Sequence, residues 1–138
     1  MKILVDTCVV IDFLQARQPF YGDADTLFTA IANHKADAYL TAKSLSDIYY
    51  LMKRYFHDER ETRRMLSSLL IVMELLDTAA VDCRMAIASD TPDFEDAIMI
   101  ETAVRSGMDC IVTRNQKDYS KSRLPVYSPA ELLTLIEK

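Results

Sequence analysis

Two short apolar runs constrain the fold of this chain more than any other feature. KILV at 2–5 and CIVT at 110–113 consist mainly of apolar and β-branched residues, and neither alternates with polar residues. A strand without alternation is buried on both faces, as in a parallel sheet covered by helices on each side. The two runs therefore predict a parallel α/β fold with these strands in its interior.

The segments between the runs show helical periodicity. Apolar residues recur there at helical spacing, which predicts helices near 8–15, 24–31, 45–56, 66–73, 82–89 and 94–106. Asp93 is a natural N-cap, Gly107 suits a helix C-terminus, and SPAE at 128–131 predicts a capping box that opens a final helix. Further strands are predicted at 37–41, near 75–80 and, at a sheet edge, at 125–127. Strands that alternate with helices predict a three-layer α/β/α sandwich around a mostly parallel sheet.

Composition narrows the class of protein. A chain of 138 residues, half of them hydrophobic, is expected to form one domain over residues 1–138. Cys8, Cys83 and Cys110 form no C-x-x-C pair, so neither a zinc site nor a disulfide framework is predicted, and this usage fits a reducing compartment. The sequence shows no secretory signal and no apolar stretch of about 20 residues. We therefore expect a cytoplasmic protein with no membrane segment.

The charge is unevenly distributed. A net charge of −5 disfavours a nucleic-acid partner, but residues 74–101 contain eight acids against Arg84 alone. Residues 43–73 and 102–123, in contrast, each carry more basic than acidic side chains. The average thus hides an acidic zone between two mildly basic ones. Ordinary solvated helix faces are the alternative interpretation of this pattern.

Polar residues follow the ends of the predicted strands. Asp6 comes directly after the first strand, and Thr113, Arg114 and Asn115 follow CIVT. In open parallel sheets, sites form at the carboxyl ends of strands near a switch in strand order. If the sheet is parallel, three more acids fall at the same edge. Asp118 lies in the turn after CIVT, and Asp96 and Asp47 lie early in two helices.

Carboxylates that converge in a cleft repel one another unless a cation compensates them. Oxygen ligands without nearby His or Cys suit Mg²⁺ or Mn²⁺, which can activate water and stabilise a phosphodiester transition state. Taken singly, each residue has a simpler explanation. Asp6 and Asp96 could serve only their helix N-termini, and Asp47 could be a solvent-facing acid. Thr113 and Asn115 could simply cap or form a turn, and Arg114 could be an ordinary surface residue. Core packing is the simpler explanation for three aromatic residues: Tyr49, Tyr50 and Tyr55.

Four blocks of the sequence carry a resemblance to a known family. They are KILVDTCVVIDFL, AKSLSDIYYLMKR, DFEDAIMIETAVRSGMDCIVTRNQKDY and PVYSPAELL. Together they resemble PIN-domain proteins of the bacterial and archaeal kind, similar to VapC-type toxins, over essentially the whole chain. The resemblance implies an α/β/α sandwich that acts as a metal-dependent ribonuclease on RNA, with a small antitoxin partner and commonly as a homodimer.

The resemblance also implies roles for individual residues. Asp6 and Asp96 match the family's metal-binding acids, and Asn115 and Asp118 match positions that complete the site. Thr113 matches the polar residue after the fourth strand. The chain departs from the family at two positions. Asp47 stands where Glu is usual, one methylene shorter, and Cys8 stands where Asn is common.

Two functional hypotheses follow. The first is an Mg²⁺- or Mn²⁺-dependent endoribonuclease, the toxin of a toxin–antitoxin pair. In it Asp47 is an outer ligand or a base, and basic side chains guide RNA phosphates: Lys53, Arg54, Arg63, Arg64 and Arg114. The alternative, motivated by Asp47 and Cys8, is a catalytically weakened PIN-like module that regulates by binding RNA or protein. Dinucleotide and P-loop motifs are absent from the sequence.

Overall fold

A five-stranded sheet forms the centre of the protein. The computed structural model describes residues 1–137. The strands are β1 (Lys2–Val5), β2 (Asp37–Thr41), β3 (Glu74–Leu76), β4 (Cys110–Val112) and β5 (Val126–Tyr127). They lie in the order β3-β2-β1-β4-β5, and all pairings are parallel. The predicted parallel sheet is confirmed, with β5 at an edge and β3 shorter than the predicted segment.

Seven α-helices connect the strands. They are α1 (Thr7–Leu14), α2 (Tyr21–Ala32), α3 (Ala42–Phe56), α4 (Glu59–Val72), α5 (Ala80–Ala88), α6 (Phe94–Arg105) and α7 (Pro129–Ile136). A 3₁₀ turn at Gln116–Tyr119, which the periodicity did not predict, follows β4. Within residues 1–137, no helix combines the length and the apolar character needed to cross a bilayer.

Both faces of the sheet are covered, as the unalternated runs predicted. Ile3 and Val5 of β1 pack into one buried cluster, with apolar residues of α1, α2, α3 and α7. Leu4, between them in sequence, packs into a second cluster with Met99 and Ile100 of α6. Successive side chains of a strand point to opposite faces. Helices on both faces therefore make the predicted three layers.

Capping residues fix where the helices begin. Asp93 Oδ1 accepts a hydrogen bond from the Asp96 backbone N–H at 3.0 Å, so α6 begins at the predicted position. Ser128 and Glu131 form the predicted capping box of α7. Gly107 adopts a φ of 72° just beyond α6, a conformation that favours glycine. The cap at Asp93 places Asp96 in the first turn of α6.

The strand order changes direction between β1 and β4. The chain runs outward from β1 to β2 and β3 on one side, and from β4 to β5 on the other. The Asp6 backbone N–H donates to the Val112 carbonyl at 2.9 Å, which extends the β1–β4 pairing by one residue. Asp6 and Thr113 therefore lie side by side at the switch point, where open α/β sheets bind ligands.

One packing prediction is wrong. The sequence favoured core positions for three tyrosines of α3, but Tyr50 is 65% exposed and Tyr55 is 53% exposed. Tyr49 alone is partly buried. The buried stripe of α3 consists of Ser44, Ile48 and Met52, so the helix turns the other two rings toward solvent.

Candidate active site

Asp6 is held by hydrogen bonds at both carboxylate oxygens. Oδ1 accepts from the Thr7 backbone N–H at 2.8 Å, so Asp6 caps α1. Oδ2 accepts from the Thr113 hydroxyl at 2.7 Å and faces the Cys8 thiol at 3.5 Å. Burial, with a further contribution from Asp6, raises the pKa of the Cys8 thiol to about 11, so the thiol stays neutral and can donate. Helix capping and a site role are thus compatible, because each uses a different oxygen.

Asp96 lies in a zone of concentrated negative charge. Burial raises the pKa of its carboxyl, the charges of Asp93, Asp6 and Asp118 raise it further, and it reaches about 6. The three neighbours come from three segments distant in sequence. The charge concentration expected at this edge of the sheet is therefore present, and a bound cation would relieve it.

A cavity of about 380 Å³ opens between α3 and α6 at this edge. Four carboxylates line it: Asp6, Asp47, Glu95 and Asp96. Hydrogen bonds connect the polar residues that line the cavity. The Thr7 and Ser44 hydroxyls lie 2.6 Å apart, and the Ser44 backbone N–H donates to Thr41 Oγ1 at 3.0 Å. These bonds join α1 to the start of α3. The cavity is therefore acidic, with walls that belong to regular elements rather than to loops.

Lys43 is the cation that lines this cavity. Its Nζ lies 2.6 Å from Asp47 Oδ2 and 3.1 Å from Glu95 Oε1. Burial alone would lower the pKa of this ammonium, but the two carboxylates outweigh it, and the pKa is raised. The predicted site residue Asp47 thus lies in the cavity but is paired with Lys43. Among the residues that the structure describes, no cation forms such a pair with Asp6 or Asp96.

Asn115 and Asp118 lie at the margin of the site. The Asn115 backbone N–H donates to Thr113 Oγ1 at 3.0 Å, and its partly buried side chain does not line the cavity. Asp118 is exposed, yet it is near enough to contribute to the raised pKa of Asp96. Asp6, Asp96 and Asp118 therefore share one electrostatic environment, with Asn115 beside it.

Arg114 is engaged by an acid that sequence reasoning missed. Its Nε donates to Asp12 Oδ2 at 2.7 Å, and its guanidinium lies 4.2 Å from the centroid of the Phe20 ring. Asp12 is only 2% exposed. An acid inside the apolar helix VVIDFL was the available signal, because a buried carboxylate requires a partner. Arg114 therefore anchors the β4 end to α1.

Lys53 and Arg54 lie on the exposed surface of α3. With Tyr50 and His57 they line a shallow depression. Tyr50 also lines the acidic cavity, so the depression and the cavity adjoin. Arg63 and Arg64 pair instead with Glu59 and Glu61 of their own helix.

Tyr119 is a further residue that sequence reasoning missed. It is 2% exposed, and within residues 1–137 its hydroxyl has no partner at full hydrogen-bond geometry, although it faces the Asp96 carboxylate closely enough to lower the pKa of that carboxyl. Burial raises the pKa of this hydroxyl, and the charges of Asp6 and Asp96 raise it further. A buried hydroxyl without a hydrogen bond of full geometry beside two carboxylates marks a place for a water molecule or a hydrated ion.

The donor set fits a hydrated divalent ion. No group of three or more His, Cys, Asp or Glu side chains in the part of the chain that the structure describes is arranged to hold a metal by itself. Mg²⁺ keeps several waters and typically uses one or two carboxylates. The Asp6–Asp96 pair, the raised pKa of Asp96 and the buried Tyr119 hydroxyl suit such an ion.

Comparison with known proteins identifies the family. A model of the PIN domain matches residues 2–117. The chain belongs to the PIN-domain family. A search of curated proteins finds no significant match.

Solved structures share the PIN fold with this chain. FitAcB of Neisseria gonorrhoeae is 17% identical with a TM-score of 0.70, covering 93% of this chain and 98% of that one. A toxin–antitoxin complex from Klebsiella pneumoniae is 21% identical with a TM-score of 0.67, covering 92% and 97%. VapC20 of Mycobacterium tuberculosis, a Sarcin-Ricin loop cleaving toxin, is 16% identical with a TM-score of 0.61, covering 79% and 86%. At these identities the likeness shows the fold.

Proposed function

We propose that this PIN-domain protein is a metal-dependent endoribonuclease. One observation carries the proposal: Asp6, directly after β1, and Asp96, in the first turn of α6, line the same cavity at the switch point of the sheet. Structural ion pairs explain the other buried acids, such as Asp12 and Asp82, each bound to an arginine. Within residues 1–137, neither Asp6 nor Asp96 forms an ion pair with a lysine or arginine, which supports a role in binding a cation.

In this proposal Asp6 and Asp96 hold Mg²⁺ or Mn²⁺. Thr113 orients the Asp6 carboxylate through its 2.7 Å hydrogen bond. Asn115 and Asp118 complete the coordination or orient water, and Asp47, held by Lys43, contributes as an outer ligand or a base. When bound, the metal supplies an activated water and stabilises negative charge on the phosphodiester.

RNA is the proposed substrate. VapC20, which shares the fold, is a Sarcin-Ricin loop cleaving toxin. The acidic cavity alone would repel a phosphate backbone, so basic groups beside it have to supply attraction. Lys53 and Arg54 line the depression that adjoins the cavity on the exposed surface of α3. Arg114 is paired with Asp12 and adds positive charge near Asp6. Affinity for RNA should therefore fall as salt rises.

An antitoxin is the proposed partner. One structure with this fold is a toxin–antitoxin complex from Klebsiella pneumoniae, and another is VapBC2 of Rickettsia felis bound to a DNA fragment from its promoter. A homodimer and a cytoplasmic location complete the proposal. The location draws on three cysteines that are free in the structure, as expected in a reducing compartment.

A second function is favoured by the pairing of Lys43 with Asp47. If that ion pair removes an acid that catalysis needs, the protein would bind RNA or a partner without cleaving. Such a module would show measurable affinity and no hydrolysis at any metal concentration.

RNA cleavage with and without Mg²⁺ separates the two functions. We expect cleavage that EDTA abolishes, and a loss of about 100-fold or more in Asp6→Asn, since a metal ligand contributes several kcal/mol. Asp90→Asn, at an exposed acid of the same acidic zone, is the matched control and should cleave normally. An unchanged rate in Asp6→Asn would refute the ligand role.

A further inference from the structure

The exposed surface of α3 carries an aromatic and basic stripe beside the acidic cavity. Tyr50 is 65% exposed, Lys53 and Arg54 follow it at spacings of three and four residues, and His57 is the C-cap residue directly after α3. Residues at these spacings lie on one side of a helix. The four side chains line one shallow depression.

Tyr50 joins this stripe to the acids. Its side chain lines the depression on one side and the cavity of Asp6 and Asp96 on the other. A ligand that occupied both sites would therefore pass over the Tyr50 ring.

The Tyr50 ring is supported by its neighbours. It contacts the Tyr49 ring edge-to-face, with centroids 5.2 Å apart and an interplanar angle of 82°. The Tyr49 hydroxyl in turn donates to Glu59 Oε1 at 3.0 Å. A large aromatic side chain that remains mostly in water adds little to the hydrophobic core. The supported and exposed ring is thus suited to contact a ligand.

We propose that Tyr50 is a base-stacking residue for single-stranded RNA, and that Lys53 and Arg54 contact the adjoining phosphates. The inference rests on the proposed function and specifies its substrate. Single-stranded nucleic acid is bound by aromatic rings that stack on bases and by cations that follow the backbone. In a duplex both faces of each interior base are already stacked, so Tyr50 would select unpaired nucleotides.

The test measures binding separately from cleavage. Asp6→Asn protein is titrated against a fluorescein-labelled oligouridine in Mg²⁺ buffer, and fluorescence anisotropy reports affinity. Adding Tyr50→Ala should weaken binding about 5- to 150-fold, the usual range for one lost stacked base. Tyr50→Phe keeps the ring and should bind normally. Lys53→Gln and Arg54→Gln should each reduce the slope of log affinity against log salt by about 0.7.

Abasic oligomers make the test specific to stacking. One position of the oligomer should be the one whose base stacks on Tyr50. Removing that base should weaken binding to the Asp6→Asn protein with Tyr50 intact, and adding Tyr50→Ala should cause no further loss of affinity for this abasic oligomer. The inference would be overturned if Tyr50→Ala lowered the affinity for every abasic oligomer and for a duplex by the same factor. Unchanged affinity in Tyr50→Ala would overturn it as well.

Two controls separate other outcomes. Tyr50→Ala should keep its melting temperature because the ring is exposed. If light scattering shows that Tyr50→Ala dissociates a dimer of the parent protein, the ring belongs to a subunit interface and the inference is wrong. A wild-type protein that fails to cleave while Asp6→Asn protein binds as described would overturn the proposed function alone.

Discussion

Asp96→Asn is expected to stabilise the metal-free protein. Burial raises the pKa of the Asp96 carboxyl, and the charges of Asp93, Asp6 and Asp118 raise it further. Asn has nearly the same shape and no charge, so the substitution removes this repulsion without opening a cavity. The same substitution removes a proposed metal ligand, so stability and function should change in opposite directions.

The magnitude follows from the pKa. A rise from 3.8 to about 6 is roughly two units, and each unit corresponds to about 1.4 kcal/mol. The result, about 3 kcal/mol, is an upper limit because solvent screens a partly exposed carboxylate. We expect a gain of about 1–2 kcal/mol, or about 3–8 °C in melting temperature for a chain of this size.

The gain should depend on pH. The folded-state pKa of Asp96 lies above its unfolded value, so the native state binds more protons between about pH 4 and the folded pKa near 6. Wild-type stability therefore falls as pH rises through this window and levels off above it. The advantage of Asp96→Asn should be full at pH 7.5 and small at pH 4.5.

Thermal unfolding in EDTA, followed by circular dichroism at both pH values, measures this effect. Asp90→Asn, at an exposed acid, should change stability by less than about 0.5 kcal/mol. Added Mn²⁺ should stabilise the wild type and not Asp96→Asn. If Asp96→Asn is less stable than the wild type at pH 7.5 in EDTA, the electrostatic reasoning is wrong.

Three further substitutions test the surroundings of the site. Arg114→Met leaves the Asp12 carboxylate buried without its closest partner and should lower the free energy of unfolding by about 3 kcal/mol in urea titration, whereas an unchanged midpoint would contradict a structural role. Tyr119→Phe should change metal-free stability by less than about 1 kcal/mol, because the hydroxyl makes no hydrogen bond of full geometry, and should weaken Mn²⁺ binding in calorimetry; tighter binding would argue against a hydrated ion there. Lys43→Met releases Asp47 and should tighten Mn²⁺ binding, while Lys43→Arg should not; equal effects of the two would show that the ammonium charge is unimportant.

The fold was predictable because its signals are local. The unalternated KILV and CIVT runs identified β1 and β4, and the caps at Asp93 and Ser128 located α6 and α7. Burial on both sheet faces requires that pattern, so the sequence must display it. The core prediction for Tyr50 and Tyr55 followed from residue type, because aromatic residues are usually packed. Both lie outside the apolar stripe of α3, whose Ile48 and Met52 are buried, so the helical periodicity was the better guide.

The details of the site were less predictable because they depend on pairing. The sequence located Asp6 and Asp96 at one edge of the sheet, whereas sequence reasoning missed that the four-residue spacing of Lys43 and Asp47 on one helix favours their ion pair. The sequence is compatible with a surface position for Arg114, whereas in the structure its Nε donates to Asp12 Oδ2 at 2.7 Å. Contacts between side chains distant in sequence depend on helix rotation and rotamers. Neither follows from spacing along the chain.

Anomalous scattering from a crystal soaked in Mn²⁺ tests the central claim most directly. The account predicts one peak about 2.1 Å from a carboxylate oxygen of Asp6 and of Asp96, with waters completing the coordination. An Asp6→Asn crystal soaked in parallel should lack the peak. Mn²⁺ bound elsewhere, or a peak that survives in Asp6→Asn, would contradict the claim that these two acids share a divalent ion.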